Sequence, residues 1–124
     1  MRSPRISIVE DDASLRDALM TLFAAVGWIG SGHGSAEAFL ESGEAGSADC
    51  VVTDLQLPGL SGIDLALRLR DATPSPPVVI ITARGETDLL SRAAATGALC
   101  VLRKPFAADA LLACVEKALA RRQG

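Results

Sequence analysis

The chain is poor in the residues that many sites use for special chemistry. Its 124 residues include one histidine, one tryptophan and no tyrosine. One histidine cannot build a histidine metal cluster, and His33 is read as an exposed side chain on the second strand or its loop. Trp28 is read as core or surface packing rather than a binding platform. The three cysteines, Cys50, Cys100 and Cys114, show no CxxC spacing. That excludes a disulfide frame or a zinc ribbon and leaves small buried hydrophobes in a reducing compartment. No apolar run approaches the roughly 20 residues of a membrane span. Met1-Arg2-Ser3-Pro4-Arg5 lacks the apolar stretch of a secretory signal, so a cytoplasmic location is expected. There is no basic excess either: 12 Lys and Arg against 15 acids leave a net charge of -3, which argues against a nucleic-acid surface. No internal repeat, low-complexity tract or linker divides the sequence, so one domain over 1–124 is expected.

What is present is apolar and periodic. Hydrophobic residues make up 49% of the chain, enough for a real core. Ile6-Ser7-Ile8-Val9 reads as a strand. Leu15, Ala18, Leu19, Leu22, Phe23 and Val26 then fall on one helical face that Gly27 is placed to end. Trp28 to His33 is a glycine-weakened second strand, and Ser35 to Leu40 begins a short helix with Ser35 as N-cap. After a loop at Gly43 to Ser47 comes a third strand, Asp49 to Thr53. Ser61-Gly62-Ile63-Asp64 has the pattern of a capping box for a third helix that runs to about Arg70. Leu65 and Leu69 are read as scattered surface apolars off its core face. No helix crosses the prolines of Thr73 to Pro77. Val78 to Ile81 is apolar throughout and should be buried on both faces. Glu86 to Thr96 reads as a fourth helix closed by Gly97, Leu99 to Leu102 as a fifth strand, and Ala107 to Arg121 as a last helix. Alternating strands and helices with short connections imply an α/β fold, a five-stranded parallel sheet with helices on both faces.

Glu10, Asp11 and Asp54 stand directly after the first and third apolar runs. Parallel strands ending side by side would gather these acids at the C-terminal edge of the sheet, where open α/β sheets bind ligands. Clustered carboxylates repel and need a cation or a proton. Oxygen-only donors favour a hard ion such as Mg2+. Asp12 is read as a cap for the first helix.

Several of these segments together resemble the receiver domain of bacterial two-component response regulators. They are Val9-Glu10-Asp11-Asp12; Val52-Thr53-Asp54 with Leu57-Pro58-Gly59 and Ser61-Gly62; Ile81-Thr82-Ala83; and Lys104-Pro105-Phe106. They occur in family order and at family-like spacing over essentially the whole chain. Ser35 to Leu40 with Val52-Thr53-Asp54 is most similar to the FixJ-like branch. The resemblance implies the flavodoxin/CheY-like winding, strand order 2-1-3-4-5. It implies that Asp54 is the phosphoacceptor for a phosphohistidine on a sensor histidine kinase or phosphotransfer protein. It implies that Asp11 and Asp54 coordinate Mg2+, that Glu10 acts through a bound water, and that the Gln56 backbone carbonyl joins the metal shell. Lys104 and the Thr82 hydroxyl would contact phosphoryl oxygens, with the Ala83 amide as a further donor. A cis peptide is implied between Lys104 and Pro105. Such a domain is not an enzyme in the usual sense but promotes its own phosphorylation and dephosphorylation. Homodimerisation on phosphorylation, and a C-terminal effector domain outside this chain, are further family expectations.

One position departs from the family pattern. Val101 stands where an aromatic residue normally turns inward after Thr82 shifts, and valine is too stiff at χ1 to act that way. This leaves room for a receiver-like interaction module that works without phosphorylation. A haloacid-dehalogenase-type phosphatase would need a second Asp where Gln56 stands, and a flavin-binding loop would not present Glu10-Asp11-Asp12 to a phosphate.

Overall fold

Apolar runs of four or five residues are too short for a buried helix and pair instead as strands. The computed structural model describes residues 3–83 and 87–123. In chain order the elements are β1 (Arg5–Val9), α1 (Ala13–Ala25), β2 (Ile29–His33), α2 (Ala36–Ser42), β3 (Cys50–Asp54), α3 (Gly62–Arg70), β4 (Val78–Thr82), α4 (Thr87–Ala95), β5 (Cys100–Arg103) and α5 (Ala108–Gln123). The strands form one parallel sheet in the order β2-β1-β3-β4-β5. This is the expected winding. The expected start of the fourth helix at Glu86 lies outside the described residues, and the loop expected at Gly43 to Ser47 contains a 3-10 turn, Glu44–Gly46.

The sheet buries both faces. On one side Ile6, Ile8, Cys50, Val52, Val79 and Ile81 pack with Leu19 and Phe23 of α1 and Leu111 and Val115 of α5. On the other, Val9, Val51 and Ile80 pack with Phe39 of α2 and Ile63, Leu65, Ala66 and Leu69 of α3. All five residues of β3 and of β4 are buried, as expected of strands covered on both faces.

Local chemistry starts the helices. Asp12 accepts from the Ser14 and Leu15 amides and caps α1. Ser35 caps α2 through the Ala38 amide. Ser61 and Asp64 complete the reciprocal capping box of α3. The Lys104–Pro105 peptide is cis, as the resemblance implied, and so is Thr73–Pro74.

Three expectations are corrected. Leu65 and Leu69 are core residues, 0% and 1% exposed, not surface apolars. With Gly62 and Ala66 they form an i, i+3, i+4, i+7 stripe that α3 turns onto the sheet. His33 is not exposed: the Glu44 turn folds across β2, and the Glu44 carboxylate bonds its Nε2, while Phe39 meets the ring edge-on. Of the three cysteines only Cys50 is fully buried; Cys100 and Cys114 are half-buried at the margin of the core. Burial raises the Cys50 thiol far above its ordinary range, and burial with the Cys100 contact pushes Cys114 up to about 12. In addition, the apolar face of α1 buries only Leu19 and Phe23 completely, and Val26 at its end is 45% exposed.

Candidate functional site

Three parallel strands end at one edge, and each delivers part of the site. β1 stops at Val9 and the next residues are Glu10 and Asp11; β3 ends on Asp54; β5 ends at Arg103, just before Lys104. One carboxylate oxygen from each of Glu10, Asp11 and Asp54 can be chosen so that the three lie within 4.8 Å of one another. The Lys104 ammonium bridges two of them, with Nζ 2.9 Å from Glu10 Oε1 and 3.1 Å from Asp54 Oδ2. Glu10 is fully buried and Asp54 nearly so, whereas Asp11 faces solvent.

Several backbone contacts hold these groups. The Glu10 amide donates to the His33 carbonyl at 2.9 Å, and the Glu10 carbonyl accepts from Arg16 at 2.8 Å. The Asp12 amide donates to Glu10 Oε2. On β3, the Gln56 amide donates to Asp54 Oδ1 at 3.2 Å. Gly62 lets α3 begin against the end of that strand: a Cβ there would sit 2.1 Å from the Asp54 carbonyl oxygen and 2.8 Å from Leu55 Cα. The Lys104 amide donates to the Thr82 carbonyl at 2.7 Å, which joins the ends of β4 and β5.

The electrostatics follow from burial and pairing. Burial is the largest influence on Glu10 and raises its pKa. The Lys104 bond and the Asp12 amide pull it down, Asp54 pushes it up again, and the net direction is up. Burial alone would lower Lys104, but its bonds to Glu10 and Asp54 outweigh this and hold its pKa above the ordinary lysine value. Three carboxylates against one ammonium leave an excess of negative charge. Hard oxygen donors in that state fit a divalent cation such as Mg2+, which is commonly bound through one or two carboxylates together with phosphate and water.

The other expected site residues take different places. Thr82 is fully buried at the end of β4, on the same edge as the acids. Ala83 follows it and is exposed, as is Gln56. Val101 lies outside the cluster, in β5, paired with Ile80 and packed half-buried on the α3 side of the sheet. A separate cavity of about 330 Å³, lined by Arg70, Pro76, Thr96 and Arg121 among others, shares no residue with the acidic cluster.

Sequence reasoning missed three supporting residues. Arg16 grips the Glu10 carbonyl from α1. Glu37 of α2 accepts the Leu60 amide at 2.9 Å and so ties down the loop that follows Asp54. Its pKa is lowered chiefly by that bond. Glu44 accepts from Ser7, Ser31 and His33 on the two neighbouring strands. Glycines at Gly30, Gly32 and Gly34 were the one available signal for Arg16, because a strand face without side chains has to be covered from the neighbouring helix.

Comparisons with known proteins agree with this geometry. The family model described as "Response regulator receiver domain" matches residues 6–116. The transcriptional regulatory protein FixJ of Bradyrhizobium diazoefficiens is 37% identical over 114 residues, 92% of this chain and 56% of that protein. Nodulation protein W of the same organism is 37% identical over 122 residues, 95% of this chain and 54% of that protein. The chain thus spans a little over half the length of these curated relatives. The crystal structure of FixJ-N superposes with a TM-score of 0.85 at 30% identity, covering 97% of this chain and 96% of that one.

Proposed function

The chain belongs to the response regulator receiver domain family of two-component systems, in its FixJ-like branch, and on that premise we propose that Asp54 accepts a phosphoryl group from a phosphohistidine of a partner histidine kinase or phosphotransfer protein. The observation that carries this reading is the Lys104 ammonium, which lies within hydrogen-bond distance of both Glu10 and Asp54 beside the exposed Asp11.

The residues divide the work. An Asp54 carboxylate oxygen attacks phosphorus, the P–N bond to the donor imidazole breaks, and the imidazole nitrogen takes up a proton. Asp54 is left as an acyl phosphate. Its attacking group is preset, because the Gln56 amide holds Oδ1 and Lys104 holds Oδ2. As the phosphoryl group arrives, Lys104 can move one donor from carboxylate to phosphoryl oxygen, a role suited to a compact charge on a flexible stem. The Thr82 hydroxyl and the Ala83 amide supply further donors to that group. Asp11 and Asp54 by carboxylate, Gln56 by its backbone carbonyl and Glu10 through a water are the groups that would hold Mg2+. When bound, the ion offsets the acids and the incoming phosphoryl charge together. Later attack of water on phosphorus breaks the P–O bond to Asp54, releases inorganic phosphate and returns the carboxylate to its free form. The domain is therefore a phosphoacceptor that promotes both steps rather than a turnover enzyme.

The phosphorylated state passes outward through α4, β5 and α5 to a dimer partner or a following effector domain. Val101 lacks the ring that would swing inward, so the change travels through the backbone after Thr82, which the Lys104 amide ties to β5.

The test is incubation with Mg2+ and acetyl phosphate, followed by intact mass. The parent gains one phosphoryl group and Asp54→Asn gains none. A modified Asp54→Asn protein, or an inert parent, would refute the assignment. Measuring size in solution on the same samples tests dimerisation.

A further inference from the structure

The second strand contributes no chemistry of its own, yet it shapes the acidic turn beside it. Gly30, Gly32 and Gly34 alternate along it and its exit, so all three face α1. A Cβ on Gly32 would lie 2.9 Å from both Cγ and Cδ of Arg16 and 3.1 Å from Met20 Sδ. A Cβ on Gly30 would lie 3.4 Å from Met20 Cα, and one on Gly34 3.6 Å from Arg16 Nη1. The three missing side chains leave a trough, and the Arg16 stem lies in it. At the end of the trough the guanidinium meets the Glu10 carbonyl, Nη1 to O 2.8 Å. Among the described residues no carboxylate forms an ion pair with Arg16. Asp12, one helical turn before it, is engaged instead in capping α1. Arg16 therefore spends its charge on the backbone of the acidic turn.

We infer that Arg16 is a positioning residue that holds the Glu10–Asp11 turn from behind, keeping both carboxylates close to Asp54 before any cation arrives. The inference rests on the reading of the acids as the Mg2+ site. The physical need is clear: three carboxylates within 4.8 Å repel one another, and a surface turn would relax outward without an anchor. Two contacts fix the backbone of Glu10, its amide on His33 and its carbonyl on Arg16. The first is a neutral ladder bond; the second has a charged donor and is the stronger kind. Because Arg16 bonds the Glu10 main chain and not a carboxylate, it sets where the acids sit and leaves their number unchanged.

Four variants separate this role from general stability and from simple charge. Arg16→Ala removes the anchor, and Arg16→Lys keeps the charge and one donor. Gly32→Ala keeps Arg16 but fills its trough, and the fourth combines Arg16→Ala with Gly32→Ala. Mg2+ affinity is measured by calorimetry, the Asp11 and Asp12 amide resonances are read in metal-free protein, and stability is followed in urea. Arg16→Ala should weaken Mg2+ binding about 10-fold, the lower end for loss of a group that orients a metal ligand. Arg16→Lys should recover most of it. Gly32→Ala should weaken binding in the same sense, and the combined variant should bind no worse than Arg16→Ala alone, since both changes remove one contact. Both amides should shift in Arg16→Ala before metal is added. Unchanged affinity in Arg16→Ala, with or without a lower urea midpoint, overturns the inference while the acidic Mg2+ site stands. If Arg16→Ala does not fold, Gly32→Ala with parental affinity has the same force. A parent that neither binds Mg2+ nor accepts phosphoryl from acetyl phosphate overturns the functional reading, and the inference with it.

Discussion

Gly62→Ala tests how the fold presses the acceptor into place. The new methyl would sit 2.1 Å from the Asp54 carbonyl oxygen and 2.9 Å from its carbonyl carbon. Carbon atoms pack best at about 3.5–4.0 Å, so the start of α3 must retreat by roughly 1 Å. Both sides of the contact are backbone, and no side chain can swing away to relieve it. The retreat loosens Leu65 and Leu69, which are 0% and 1% exposed. Two fully buried leucines are worth about 3–6 kcal/mol, and a gap of this size forfeits about a quarter to a half of their contact energy. Lengthening the bond from the Gly62 amide to the Leu55 carbonyl, now 2.8 Å, costs about 1 kcal/mol more. The better helix propensity of alanine returns up to about 1 kcal/mol. The net loss is about 1–3 kcal/mol, to be measured by urea unfolding followed by far-UV circular dichroism. Phosphorylation of Asp54 by acetyl phosphate should slow in the same variant, because the displaced backbone carries the acceptor. A urea midpoint and a phosphorylation rate both equal to the parent's would refute the claim that α3 is seated on the end of β3.

Three further outcomes are expected. Leu69→Ala should cost about 2–5 kcal/mol in urea unfolding, whereas Val26→Ala, at a position 45% exposed, should change the midpoint little; equal effects would contradict the corrected core. Burial pushes the Glu44 carboxyl up, but the Ser31 and His33 bonds outweigh it and hold its pKa below the ordinary value. A depressed carboxylate stabilises the fold above its unfolded pKa, and that contribution is lost as pH falls through the folded value. Between about pH 5 and pH 3 the parent should therefore lose more stability than Glu44→Gln, and parallel pH profiles would count against the network. Lys104→Met leaves Glu10 and Asp54 without their ammonium. Its melting temperature should rise more on adding Mg2+, and fall more on adding EDTA, than the parent's; an unchanged response would mean that the lysine and the cation do not share the acids.

Strands were readable because β3 and β4 are buried on both faces, so their runs Cys50–Val52 and Val78–Ile81 are apolar without alternation. Helix starts were readable because capping is local: Asp12, Ser35 and Ser61 bond amides two or three residues ahead. Leu65 and Leu69 were misread because helical periodicity gives a stripe but not the direction it faces. That direction was settled by Gly62, which lets the start of the helix rest on β3. His33 was misread because its partner Glu44 comes from a turn that folds over an edge strand, an event with no local trace.

Local pattern is enough to specify the alternation of strand and helix, the caps, and the placing of Glu10, Asp11, Asp54 and Lys104 at or just after the ends of strands, since all of these depend on neighbours a few residues away. Packing of the whole domain is what brings Lys104 across 94 positions to Glu10 and 50 to Asp54, and lays Arg16 in a trough of absent side chains. Such contacts depend on sheet order and on the distance between helix and strand. Those are fixed by how the whole core packs, and no stretch of chain encodes them alone.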